Sequence, residues 1–163
     1  MRALVVLGVW WVLAGVVLGQ DPGKQEVAKL KSLLLFATDG DPARVGEGAR
    51  ELAEGHVERL GKLKGLQFKE YRLLGEDEQP VLRSYTNWAA PMRGSEEILL
   101  SFEPNSKASS SGLRLDLELW QSRRKVMKTT QTLREGKWLY IAGPEWRGGK
   151  LILAVELLDL ASR

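Results

Sequence analysis

The chain has 163 residues, no cysteine, one histidine and a formal net charge of +3. Without cysteine there can be no disulfide staples, thiolate metal sites or thiol nucleophile, so stability has to come from packing. The charge is small and the basic residues are dispersed apart from Arg123, Arg124 and Lys125, which speaks against the concentrated basic face that nucleic-acid binding requires.

The first residues, MRALVVLGVWWVLAGVVLGQDP, carry Arg2 and then an apolar stretch from Ala3 to Leu18, ending in Gly19, Gln20 and Asp21. That is the layout of a secretory signal peptide, shorter than the roughly 20 residues that span a bilayer comfortably. Val17 and Gly19 suit the positions before a signal-peptidase cut, so residues 1–19 are expected to leave and residues 20–163 to form one domain, secreted or periplasmic. Retention of the segment as an N-terminal anchor is the alternative. Once it is removed, no membrane span is expected, and Trp10 and Trp11 do not count toward a binding surface.

EVAKLKSLLLFATDGDP begins with alternation and becomes apolar on both parities through Leu33, Leu34, Leu35 and Phe36. A strand entering the core from a solvated end reads this way. Asp41 followed by Pro42 predicts a helix start. Val45, Ala49, Leu52, His56, Leu60 and Leu63 then fall on one helical stripe, loosened by Gly46, Gly48, Gly55 and Gly61.

After Gly65 the pattern becomes short runs divided by turn residues: LQFKEYRLL, PVLRSYTNW, EEILLSFEP, GLRLDLELWQ, KVMKTTQTL, KWLYIAG and KLILAVELL. This is the signature of antiparallel sheet. Leu113, Leu115, Leu117 and Leu119 alternate with Arg114, Asp116, Glu118 and Trp120, giving one buried and one open face, whereas LILAVELL reads as a strand covered on both faces. GEDEQP, residues 75–80, reads as an acidic turn, and PNSKASSSG as a polar loop. The predicted fold is α+β, mainly antiparallel β, sandwich-like or a curled sheet, with one N-terminal strand and one amphipathic helix.

Few motifs carry chemistry. GPEWRGGK, residues 143–150, could suggest a phosphate cradle, but Gly148, Gly149 and Lys150 lead into a strand rather than a helix, and Leu151 stands where a hydroxyl residue is needed. It reads instead as a hairpin connection, with Gly148 and Gly149 taking positive φ. TDGD, residues 38–41, offers two carboxylates, a poor cage for a hard cation, and reads as a turn plus helix cap. One histidine without cysteine argues against zinc, and no metal or other cofactor is expected. His56 is read as a half-buried packing residue, with no orienting partner visible in the sequence.

The tryptophans give the best binding candidates. Trp88 lies in YTNWAAP, Trp120 has the parity of the open face, and Trp146 is expected in the hairpin loop with Arg147 beside it. Exposed tryptophans anchor partners because they bury a large area at low entropic cost. The reading that follows is an exported, non-catalytic binding or assembly module for another exported protein or surface structure. A carbohydrate-binding module is the alternative, and a hydrolase using Asp39 and Asp41 the third. The mature chain is expected to begin at or near Gln20; terminal sequencing that finds Met1 in a membrane fraction would favour the anchor.

Overall fold

The computed structural model describes residues 21–89, 97–106, 109 and 112–160; the N-terminal apolar segment, residues 90–96 and 161–163, and much of the stretch PNSKASSSG, expected as a polar loop, lie outside them. Strand β1 (Glu26–Thr38) is followed by a short strand β2 (Arg50–Glu51) and the one α-helix, α1 (Glu54–Gly61). Seven further strands follow: β3 (Glu70–Leu82), β4 (Asn87–Ala89), β5 (Ile98–Pro104), β6 (Leu113–Gln121), β7 (Arg124–Leu133), β8 (Trp138–Trp146) and β9 (Gly149–Leu160). They make two antiparallel sheets, ordered β2-β3-β1-β9-β8 and β4-β5-β6-β7. The α+β, mainly antiparallel architecture matches the expectation from sequence.

The two-parity hydrophobic runs explain the layering. In β1, Leu30, Leu34 and Phe36 face the second sheet, where they meet Leu100, Phe102, Leu113, Leu115, Leu117 and Leu119 in the sandwich core. Leu33, Leu35 and Ala37 point the other way, joining Ile152 and Ala154 of β9 beneath Leu60 of the helix and Leu66 and Tyr71. The strands dense in apolar residues are therefore the central ones, covered on both faces. Tyr71 closes this layer by donating its hydroxyl proton to the Leu66 carbonyl at 2.7 Å and accepting the Phe68 N–H at 2.8 Å.

Two segments differ from their sequence reading. The helix does not start at Asp41. Asp41 does cap, accepting the Ala43 N–H at 2.9 Å, but only a single 3₁₀ turn, Pro42–Val45, follows. Gly46 and Gly48, at φ 89° and 102°, then swing the chain into β2, and the α-helix begins at Glu54. The second difference is GEDEQP, which is no turn. Residues 75–80 continue β3 through a register running from Gly75 opposite Leu34 to Pro80 opposite Lys29. Its acids are drawn into the ladder by Lys31, whose ammonium lies 3.8 Å from Glu76 and 3.2 Å from Glu78. Pro80 is tolerated because β2 pairs only as far as Arg72 and Leu73, leaving that part of β3 an edge.

The hairpin reading of GPEWRGGK holds, with a change of detail. Arg147 and Gly148, at φ 47° and 77°, are the turn residues, as a two-residue hairpin loop demands. Gly149 instead belongs to β9, where a Cβ would stand 2.4 Å from the Phe36 ring and 2.5 Å from the Ala37 carbonyl oxygen. Gly149→Val is thus expected to destabilise by about 1–3 kcal/mol through overpacking. A denaturant midpoint equal to wild type would contradict this account of the hairpin.

Candidate functional site

The outer face of the four-stranded sheet is built by the strand alternation predicted for Leu113–Trp120. With the leucines inward, Asp116, Glu118 and Trp120 stand outward, and the register aligns them with neighbours on β4, β5 and β7. One row crosses the sheet as Trp88, Ser101, Glu118 and Lys128. The next row runs Leu99, Trp120 and Lys125. A bulge creates the second row: register shifts between Leu119 and Trp120, so Val126 packs inward and Lys125 comes to lie opposite the indole.

The result is an aromatic platform with a cationic rim. Trp88 and Trp120 have ring centroids 5.9 Å apart at 51°, and Trp88 remains 47% exposed. Lys125 Nζ sits 5.1 Å from the Trp120 centroid, within cation–π range. The same ammonium donates to Glu118 Oε1 at 2.8 Å, and Lys128 reaches that oxygen at 3.2 Å. The Lys125 hydrogen bond pulls the Glu118 carboxyl below its ordinary range despite partial burial. Among the described residues, Nε1 of Trp120 is the buried side-chain polar atom without a hydrogen-bond partner. Farther along the face Asp116 is held by Thr130 at 2.6 Å and Asn105 at 3.0 Å.

Of the four binding candidates, Trp88 and Trp120 come together and Trp146 and Arg147 do not join them. The expected loop position of Trp146 is corrected: it is the last residue of β8, 7% exposed, with its ring edge-on to Phe36 at 6.0 Å. Its Nε1–H donates to Glu97 at 3.2 Å. Arg147 lies 4.3 Å over the Trp146 ring and donates to the Val45 carbonyl at 2.8 Å. These two residues therefore tie the hairpin to the 3₁₀ turn and to the start of β5.

TDGD and GPEWRGGK meet at the end of β1, where Thr38, Asp39, Phe68, Glu145 and Lys150 line an open cleft of ≈ 400 Å³. Two of the polar groups there serve the backbone. Asp39 accepts the Lys69 N–H at 3.0 Å, and Thr38 Oγ accepts the Gly40 N–H at 3.0 Å. Among the described residues no group of three or more His, Asp or Glu side chains is placed to hold a metal ion.

The structure supplies the partner for His56 that the sequence did not show. His56 and Leu60, four residues apart on one face of α1, both turn toward the five-stranded sheet, where His56 Nδ1 lies 2.6 Å from the Tyr140 hydroxyl. Trp138 meets the imidazole edge-on at 4.7 Å. Alternation in WLYIAG places Trp138 and Tyr140 on the same side of β8, and that spacing is the one sequence signal that could have found them.

Set beside known proteins, the chain matches no family model, no curated protein and no solved structure. Its chemistry is read from its own geometry.

Burial, followed by the charges of Arg59 and Lys31, holds the His56 imidazole below its ordinary value of 6.5. Glu156 is the acid near this cluster; with burial the larger cause, it pushes the Tyr140 hydroxyl up against the opposing effect of Arg59. The folded state therefore takes up the His56 imidazole proton less readily than the unfolded one. Stability from this group is complete above about pH 6.5, declines as pH falls toward the depressed folded value, and is flat below it. His56→Gln should cost about 1 kcal/mol at neutral pH and remove that decline. Melting temperatures between about pH 7.5 and about pH 5 check this, and parallel profiles for wild type and variant would assign the decline elsewhere.

Proposed function

We propose that the chain is an exported, non-catalytic binding or assembly module, residues 20–163 acting as one domain after loss of residues 1–19. It presents the outer face of the four-stranded sheet to another exported protein or to a surface structure. The observation that carries this reading is Trp88: a tryptophan nearly half exposed on a sheet face, backed by a second tryptophan rather than folded into the core. Such a residue offers a large rigid contact area that loses little entropy on binding. A carbohydrate ligand is the second reading, favoured by the exposed indole of Trp88.

No catalytic step is assigned. Asp39 and Asp41 accept backbone N–H groups at the turn, and His56 holds the helix to the sheet through Tyr140.

The test is capture of a partner by the exported chain and by two tryptophan variants. Trp88→Ala should weaken binding by about 2 kcal/mol with little effect on melting, as truncation of an exposed anchor does. Trp146→Ala should instead cost about 3–5 kcal/mol of folding stability, because it empties a buried site. A Trp88→Ala variant that holds its partner as tightly as wild type would remove this face from the binding surface.

A further inference from the structure

Arg123, Arg124 and Lys125 are the one cluster of basic residues in the sequence, and the fold delivers it to the aromatic platform. Ser122 and Arg123 form the β6–β7 turn with φ of 47° and 67°, which puts the exposed Arg123 at the tip beside the Trp120 row. Lys125 and Lys128 follow along the outer face. Glu118 is the acid that answers both lysines, and it is largely covered, its side chain 18% exposed against 40% and 56% for theirs. The two ammonium groups share one recessed carboxylate, so among the described residues the rim of the platform is net positive.

Resting on the reading that this face binds a partner, we propose that the partner is an acidic polysaccharide, its sugar ring stacked on Trp88 and its carboxylates met by Lys125, Lys128 and Arg123. Three features of the face favour that chemistry. The Trp88 side chain is 47% exposed, and an indole's electron-rich face attracts the weakly positive C–H edges of a sugar. The cationic rim complements carboxylates spaced along a chain. The Trp88–Trp120 pair stands directly against that rim, with Lys125 over the Trp120 ring, so a stacked sugar would bring its carboxylate to the ammonium groups.

Trp88, Trp120, Lys125 and Lys128 project from the face of the sheet, whereas a peptide added as a strand would pair along an edge. Asp116, fixed by Thr130 and Asn105, and Glu103, which accepts from Thr86 at 3.0 Å, limit the anionic site to the end of the sheet nearest the β6–β7 turn.

The experiment measures binding of the exported chain to polygalacturonate, neutral dextran and poly-L-glutamate by calorimetry and affinity electrophoresis. Polygalacturonate should bind, weakening as salt rises; dextran should not. Trp88→Ala and the double variant Lys125→Gln with Lys128→Gln should each weaken polygalacturonate binding about tenfold or more, the size expected when an anchoring contact is lost. Trp88→Tyr should restore part of it. Melting curves for every variant must match wild type within error, and Lys128→Gln alone serves if the double variant melts early.

Equal binding of poly-L-glutamate, insensitive to Trp88→Ala, would show a charge-driven peptide surface and overturn the proposal. Dextran bound as tightly as polygalacturonate would overturn the anionic part. Should none of the polymers bind while partner capture still depends on Trp88, the polysaccharide falls and the binding module stands; if capture also ignores Trp88, both fall.

Discussion

The structure depends on strand β1 being saturated in every direction. Its backbone is hydrogen-bonded to β3 on one edge and β9 on the other, and both its faces are covered, by the sandwich partner and by the helix layer. From Ala28 to Ala37 the main chain thus lies between two ladders, its donors and acceptors paired as burial requires. Leu30, Leu34, Leu35 and Phe36 are fully enclosed, and each such side chain contributes on the order of 1.5–3 kcal/mol. A register slip of one residue would exchange the two faces. The difference in their partners, leucines across the sandwich against helix and tyrosine outside, makes the exchange costly.

That constraint decides which sheet face stays open. Since α1, Leu66 and Tyr71 cover the middle of the five-stranded sheet's outer side, and Lys31 and Arg50 neutralise Glu76 and Glu78 on its margin, the four-stranded sheet keeps the open face. Trp88 and Trp120 stand there. The two motifs with the most chemical appearance, TDGD and GPEWRGGK, are spent at the end of β1 instead. Thr38 donates its hydroxyl proton to the Gly148 carbonyl at 3.3 Å, joining one turn to the other. They terminate the central strands and keep the hairpin close to Phe36.

Much of this architecture was legible because hydrophobic period reports burial directly. The double-sided runs in β1 and β9 marked the central strands, and the strict alternation of Leu113–Trp120 marked an open face. Local signals failed where a tertiary partner outvoted them. Asp41-Pro42 is a sound helix start, yet the glycines at 46 and 48 and pairing with β3 limited it to one turn. GEDEQP has the composition of a loop, but the length of β1 supplied a partner for every residue and Lys31 a charge for its acids. The imidazole–hydroxyl pair of His56 and Tyr140 spans 84 positions, a separation that no local pattern encodes.

The opposite fates of Trp88 and Trp146 come down to one extra residue in β8. Trp138 and Tyr140 face the helix layer, while Leu139 and Ile141 face the sandwich. Continued alternation would send position 146 outward with 138 and 140, and a tryptophan there would be a surface residue. The register against β9 instead jumps from Ala142 opposite Ile152 to Glu145 opposite Lys150, leaving one unmatched residue in the segment Gly143-Pro144. Such a bulge inverts the parity of everything after it. Proline has no N–H to waste at the irregularity, and Gly143 admits the close approach, since a Cβ there would stand 2.9 Å from the Leu151 carbonyl oxygen. The indole of Trp146 is turned inward onto Phe36, and Arg147 closes over it. Gly-Pro in GPEWRGGK is therefore what turns Trp146 from the surface into the core, while Trp88, which no bulge redirects, stays exposed on the open face.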